Sequence, residues 1–339
     1  MIISNPFIIL YFYVVMSKLR TGVIGVGYLG RFHAQKYSSI DGVELVGVAD
    51  RNLMRSKSVA EECKCRSFHS YKELLKNVDA VSVVVPTCDH FGVARDCINA
   101  GVDVLLEKPM TVTVAEANNL VAGARENNLI LQIGHLERFN PAVMAMKSYL
   151  TSPIFIESRR VSTFKKRGAD VDVVLDLMIH DIDIILNIVD SPIKLIHGVG
   201  VAVVTDNSDI ANVRLIFENG ASANICASRI AAKSIRKMQI FQPDSTISID
   251  FADKKIITAP LFNSPDNEEP NRNVKIQTFA ESDALQAEIF AFTKHAIERT
   301  RPTVSGVEGQ KALGVALEII DQIKNNQDKP IFKDFQKLS

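Results

Sequence analysis

The chain has 339 residues, too many for one small core and suited to two domains of ordinary size. Its 39 Lys+Arg balance 39 Asp+Glu, which lacks the positive excess of a nucleic-acid binder, and 47% hydrophobic with 23% charged residues argue against bulk disorder. Five cysteines, scattered and odd in number, read as reduced thiols of a cytoplasmic protein; the Cys63-Lys64-Cys65 pair leaves a metal or redox pair open, but no second pair backs it and no metal is expected.

The apolar run Phe7–Met16 is ten residues long, about half of what spans a bilayer. No Lys or Arg precedes it and a second start is available at Met16, so residues 1–17 read as a tail or an over-called start, not a membrane anchor. From residue 18 to 139, short apolar runs (Thr21–Val26, Val43–Ala49, Ala80–Val85, Val102–Leu106, Ile130–Gly134) alternate with helix-like stretches. Several of the runs are almost continuously apolar, as strands covered on both faces are. Ser70-Tyr71-Lys72-Glu73 and Thr113-Val114-Ala115-Glu116 carry capping-box signatures. The alternation predicts an α/β domain with a doubly wound parallel sheet.

Gly25-Val26-Gly27-Tyr28-Leu29-Gly30 follows the first run and opens a helix. Gly25 permits a tight turn, Gly27 lets backbone approach a pyrophosphate, and Gly30 lets the helix pack on its strand, with the helix N-terminus offering N–H groups to the phosphates. Asp50 ends the second run, where a carboxylate accepts from the ribose hydroxyls of NAD and repels the extra phosphate of NADP. Arg51 follows it and softens that preference. The reading is a dinucleotide-binding domain, NAD over NADP. Glu107-Lys108-Pro109 ends the run Val102–Leu106, and ligands bind outside the carboxyl ends of such strands, so Lys108 is expected at the cofactor crevice.

Near residue 140 the pattern changes. Residues 140–339 read as a substrate-binding and oligomerisation domain. After Asn140-Pro141 and a short helix to about Leu150 come the runs Pro153–Ser162, Lys194–Val204, Val213–Glu218, Ser222–Ile230, Lys237–Phe241 and Ser245–Phe251, which predict a second sheet with helices on one face. Arg159, Arg160, Lys165, Lys166 and Arg167 form a basic run suited to a substrate diphosphate, or simply a solvated loop. Val171–Val189 is apolar apart from Asp172, Asp176, His180, Asp183 and Asn187, whose spacing puts them on one narrow helical face. Asp176 and His180 are one turn apart, so the carboxylate is expected to orient the imidazole, a suitable base near neutral pH. Glu218-Asn219-Gly220 marks a hairpin turn. Asn263–Asn273 reads as a loop, and two helices, Asp283–Thr300 and Ser305–Asn325, close the chain.

Together these residues describe alcohol oxidation. The nicotinamide takes the hydride, His180 takes the hydroxyl proton, Lys108 orients the hydroxyl and shares its charge, and Asp176 holds His180.

At this point the chain resembles the glucose–fructose oxidoreductase / inositol dehydrogenase (Gfo/Idh/MocA) family from Arg20 to about Ile323. The carrying segments are Gly25–His33 (Gly-Val-Gly-Tyr-Leu-Gly-Arg-Phe-His), Val85-Pro86-Thr87-Cys88-Asp89-His90, Glu107-Lys108-Pro109, Asp176-x-x-x-His180 and Pro302–Gly306. The resemblance implies a Rossmann domain followed by an open, mainly antiparallel sheet that forms the contacts of a homodimer or homotetramer. It implies catalytic roles for Lys108, Asp176 and His180, a cofactor wall including Tyr28, Leu29, Pro86, Thr87, His90 and Glu107, and a cis bond before Pro109. Many members carry a glycine-rich stretch before the Asp-x-x-x-His helix; this chain departs from that pattern, with Asp-Val-Asp-Val-Val-Leu at Asp170–Leu175. With Gly134-His135-Leu136-Glu137-Arg138-Phe139-Asn140-Pro141, this is similar to the branch that acts on UDP-sugars and feeds amino-sugar synthesis for lipid A. Arg138, Asn140, Arg160 and Arg167, with Asp176 and His180, are the substrate residues this implies. A dehydrogenase of a free sugar, polyol or inositol, an NAD-dependent glycosidase and a non-catalytic sensor are the competing readings.

Overall fold

A computed structural model of the chain describes residues 18–165, 168, 171–260, 274–279 and 282–327. The expected tail at 1–17, Lys166 and Arg167 of the basic run, and the loop expected at 263–273 lie outside the described residues.

The first sheet is parallel and six-stranded, in the order β3-β2-β1-β4-β5-β6. Its strands are β1 (Leu19–Ile24), β2 (Val43–Ala49), β3 (Arg66–Phe68), β4 (Ala80–Val83), β5 (Asp103–Glu107) and β6 (Leu131–Gly134), crossed by helices α1 (Tyr28–Tyr37), α2 (Leu53–Cys63), α3 (Tyr71–Leu75), α4 (Thr87–Asn99) and α5 (Val114–Glu126). All residues of β4 and β6 are buried, which is why their sequences lack alternation. The Thr113 capping box is complete, with the side chain accepting from Glu116 N–H and Glu116 reaching back to the cap. Strand β3 has three residues, two of them exposed, and so carried no apolar run to betray it.

A one-turn 3-10 helix (Leu136–Phe139) and α6 (Pro141–Met146) lead into the second sheet. Its eight strands are β7 (Phe155–Val161), β8 (Ile193–Val201), β9 (Ile210–Phe217), β10 (Ser222–Ser228), β11 (Ile235–Phe241), β12 (Ser245–Asp250), β13 (Lys255–Pro260) and β14 (Lys275–Thr278), in the order β14-β13-β12-β11-β7-β10-β9-β8. Every pairing is antiparallel except β7 with β10. The expected hairpin turn joins β9 to β10, with Gly220 at φ +88°, where a side chain would strain.

Along β7, Ile156, Ser158 and Arg160 face inward while Glu157 and Arg159 face out. The inner face packs on α7 (Ile179–Ile188) and α9 (Gly306–Gln327) through Ile182, Ile185, Ala316, Ile319 and Ile323. The outer face is polar, with Glu157, Arg159, Arg214, Asn224 and Lys237 lining an open groove among the described residues. Helix α8 (Ala284–Glu298) returns to the first sheet, where Ile289 and Phe292 are fully buried with Ala34, Tyr37 and Leu105. The line drawn at residue 139 therefore divides the chain but not the cores. The last third of the sequence completes the Rossmann layer, and burying those two side chains contributes about 1.5–3 kcal/mol each.

Candidate active site

A crevice of about 1210 Å³ runs along the carboxyl ends of the first sheet. It exceeds the roughly 300–1,000 Å³ of ordinary small-ligand pockets, as a ligand of two nucleotides requires. Gly25, Gly27, Tyr28, Leu29, Gly30, Asp50, Arg51, Pro86, Thr87, His90, Glu107 and Lys108 all line it. The glycines differ in what holds them. Gly25 has φ +85°, and a Cβ there would lie 2.6 Å from the Val84 carbonyl oxygen; a Cβ on Gly30 would lie 1.9 Å from the Gly25 oxygen. A Cβ on Gly27 would meet no protein atom within 4 Å, so at this position the fold itself makes no demand for glycine. The space it would fill opens on the crevice, at the N-cap of α1, where a pyrophosphate approaches backbone. The chain's residues fit a dinucleotide.

Asp50 is tied into this loop. Its carboxylate accepts from Val26 N–H at 2.8 Å and from Asn52 N–H at 2.8 Å. Arg55 Nη1 also reaches both oxygens, at 3.5 and 3.4 Å, so the carboxylate is held by backbone and cation together and a ribose would share it with Arg55. Arg51 projects into solvent and pairs with Asp89 at 3.0 Å. His90 is buried and spans the wall, its ring nitrogens 2.9 Å from the carbonyls of Val85 and Pro109. Burial holds its pKa below the ordinary histidine value.

Lys108 joins this crevice to the second domain. It follows β5 directly, and the Lys108–Pro109 peptide is cis. Its Nζ donates to the Asp176 carbonyl at 2.6 Å and lies 3.7 Å from the Asp176 carboxylate. Burial pushes the Lys108 pKa below 10.5, and Asp176 and Glu107 offset this only in part. Glu107 is backed by His33, whose Nε2 is 3.2 Å from its carboxylate, and His33 is held in turn by Ser82.

The helical segment carrying Asp176 begins irregularly. Asp172 accepts from Val174 N–H and Ser208 N–H, one turn of π-helix follows over Val174–Met178, and α7 then runs regularly. The wide turn changes the expected geometry. Asp176 faces Lys108, and no hydrogen bond or ion pair joins it to His180 among the described residues. His180 lies near enough to Lys108 and Arg160 for their charges to act on it. Burial first, then those charges, hold its pKa well below 6.5.

Three side chains expected at the substrate are spent inside the protein. Arg138 is 5% exposed and bonds Asn187 at 2.6 Å, the Thr303 carbonyl and Asp183. Arg160 is 3% exposed, bonds Asp181 through two nitrogens at 3.0 and 2.8 Å, bonds Glu137 at 2.6 Å, and lies over the Phe251 ring. Asn140 caps α6 and bonds Glu137 and the Phe251 carbonyl. None of the three lines the crevice. The basic run is not one patch either: strand alternation turns Arg159 to the outer face of the sheet and Arg160 into the core. Cys65 lies beside Cys63, and burial raises its thiol pKa to about 12, which disfavours a metal-binding thiolate.

Residues 19–135 match the profile of an oxidoreductase family with an NAD-binding Rossmann fold, and residues 145–248 match the Gfo/Idh/MocA C-terminal domain. The chain belongs to the Gfo/Idh/MocA oxidoreductase family. This member is 42% identical over 306 residues to UDP-N-acetylglucosamine 3-dehydrogenase of Acidithiobacillus ferrooxidans, covering 90% of its own length and 97% of that protein's. The solved structure of that enzyme superposes with a TM-score of 0.85 over 91% of this chain and 98% of that one. A myo-inositol 2-dehydrogenase of Thermotoga maritima is 26% identical over 87% of this chain and 93% of its own.

Two histidines of this Gfo/Idh/MocA chain escaped assignment from sequence. His33 and His135 both lie inside quoted motifs, but spacing gave neither a partner. Only the adjacent ends of β5 and β6, with Glu107 opposite Gly134, bring His135 beside Lys108. His33 is a fully buried member of α1, reached by Ser82 from β4.

Proposed function

We propose that this chain oxidises a hydroxyl of a UDP-sugar to a ketone with NAD, acting on the 3-hydroxyl of UDP-N-acetylglucosamine. The carrying observation is that Lys108, on the crevice wall, reaches by its Nζ the turn that carries Asp176, directly before the helix that carries His180. The 42% identity with a UDP-N-acetylglucosamine 3-dehydrogenase supports the substrate.

NAD, when bound, accepts the hydride. Lys108 donates to the substrate hydroxyl and stabilises the oxygen as its proton leaves. His180, neutral at working pH, receives that proton on an imidazole nitrogen. Asp176 accepts from the sugar or from Lys108 and keeps the ammonium aimed. Asp50 takes the ribose hydroxyls and favours NAD over NADP. Exposed Lys165, with Arg167, supplies cations for the diphosphate. The outer face of the eight-stranded sheet is the surface for a homodimer or homotetramer. The work belongs in the cytoplasm, where NAD and sugar nucleotides are, and its product serves amino-sugar synthesis of the lipid A type.

The test is incubation with NAD and, in separate reactions, UDP-N-acetylglucosamine, free N-acetylglucosamine plus UDP, and myo-inositol. Reduced nicotinamide should accumulate only with the intact sugar nucleotide. Equal reduction with the free sugar or inositol would move the substrate to the polyol reading. Cleavage of the sugar nucleotide without net cofactor reduction would move it to the glycosidase reading.

A further inference from the structure

His180 needs a partner that fixes its proton, and Asp176 is turned away toward Lys108. Its Nδ1 is buried without a hydrogen-bond partner. The ring beside it is His135, whose centroid is 6.4 Å away and whose plane is at 89° to that of His180. His135 is 1% exposed, and both of its ring nitrogens are buried without partners. Asp183, three residues beyond His180 on α7, has one buried carboxylate oxygen in the same condition. Buried polar atoms are rarely left alone, and four of them on three neighbouring side chains mark one polar site inside the protein.

The site is rigid. Arg138, three residues from His135, holds Asp183 and Asn187 of α7, and Glu137 with Arg160 holds Asp181. The segment that carries His135 thus grips the helix that carries His180 on both flanks of the imidazole.

We propose that His135 is the positioning residue of His180, fixing through one bridging water which nitrogen of His180 carries the proton. A ring separation of 6.4 Å, with no direct hydrogen bond between the rings, matches a bridge of one water, and the site offers it the two to four polar partners a buried water takes. A neutral imidazole has one donor and one acceptor. His135 carries its own proton on one nitrogen and accepts on the other, through the water, from His180 Nδ1–H. His180 Nε2 is left bare to receive the substrate proton. No proton is gained or lost in this arrangement; one tautomer is selected. The inference deepens the proposed role of His180 and rests on it for its use in catalysis, though not for the tautomer itself.

The test reads the His180 tautomer by NMR in resting protein labelled at the imidazole nitrogens, with His180→Gln to assign the signal. The expected result is a protonated Nδ1 and a bare Nε2; the opposite tautomer overturns the inference whether or not His180 is the base. In turnover, His135→Phe should lower kcat by about tenfold or more, a part of the ~10²–10⁴ a general base contributes, and leave KM for NAD within about twofold. His135→Gln, which keeps a donor and an acceptor, should recover most of the loss. A kcat within about twofold of wild type for His135→Phe, or no recovery by Gln at an unchanged thermal midpoint, overturns the inference. Full activity in His180→Gln would instead sink the catalytic reading of His180.

Discussion

Lys108 and His180 carry opposite demands on one pH axis. Lys108 must hold its proton and His180 must lack one, and burial shifts both pKa values downward, from 10.5 and 6.5. For His180 the active, neutral form is lost as pH falls through its value, which lies well below 6.5. For Lys108 the active ammonium is lost as pH rises through a value below 10.5. The profile of kcat/KM should therefore keep its acid limb below the ordinary histidine range and begin its alkaline limb below the ordinary lysine range. An acid limb at or above pH 6.5 contradicts the assignment of His180. Lys108→Ala and His180→Ala should each lower kcat by about 10²–10⁴-fold, with NAD binding retained by fluorescence titration. At Asp50, removal of the carboxylate by Asp50→Ala should weaken NAD and narrow its advantage over NADP. An unchanged ratio of the two KM values would remove Asp50 from the ribose. The Val26 N–H bond adds a second cost, because the variant also loosens the glycine turn.

At the scale of elements, the glycine loop and the seamed helix behaved differently as sequence signals. The loop was legible because its spacing is distinctive, although only two of its glycines answer a demand of the fold: backbone sign at Gly25 and contact with the Gly25 oxygen at Gly30, with open space at Gly27. That difference is measurable. Gly30→Ala should destabilise the protein by several kcal/mol, since its Cβ has nowhere to go, and should fail in a thermal melt. Gly27→Ala should melt as wild type does and yet raise KM for NAD by about tenfold or more. Equal melting of the two variants would contradict the structural difference between the two glycines, and an unchanged KM for NAD in Gly27→Ala would show that Gly27 is not read by the cofactor. The helix was only half legible. Its polar residues were visible, but a regular 3.6-residue turn put Asp176 over His180, and the π turn at Val174–Met178 instead gives Asp176 to Lys108. The internal partners of Arg138, Asn140 and Arg160 were hidden for a related reason. Basic and amide side chains near a site look like ligand-binding groups in sequence, while their partners Asp181, Asp183 and Glu137 are recognisable only when β7, α7 and the 3-10 turn are packed together. Arg160→Met leaves the buried Asp181 and the half-buried Glu137 without the cation they share and should cost about 3–5 kcal/mol in denaturant unfolding. A variant as stable as wild type would return Arg160 to the substrate.

The whole molecule was legible in its alternation: parallel, doubly buried strands first, then strands with one polar face. Three strands escaped: β3, with two of three residues exposed, β14, exposed throughout, and β13, whose only apolar stretch is the short Ile256-Ile257 pair. Sequence order also concealed how far the two sheets share material. Helix α8 inserts Ile289 and Phe292 into the first core, Arg299 pairs with Asp103, and Val304 accepts from Ile133 N–H, while α9 spans from that core to the second. Such sharing should make the protein unfold in one cooperative transition, observed as coincident loss of far-ultraviolet signal and of tertiary fluorescence from its tyrosines; two separated transitions would mean independent domains. It also explains how Lys108, from one sheet, meets Asp176, from the helical segment packed on the other, with a geometry fixed by both cores. The most direct examination of that meeting is label transfer. UDP-N-acetylglucosamine carrying deuterium at C3 is incubated with the protein and NAD, and the reduced cofactor is weighed by mass spectrometry. The expected result is deuterium in the nicotinamide with the C3 label and none with a C4 label. Reduced cofactor without the C3 deuterium, or no reduced cofactor at all, would mean that the substrate hydroxyl does not lie where Lys108 and His180 converge.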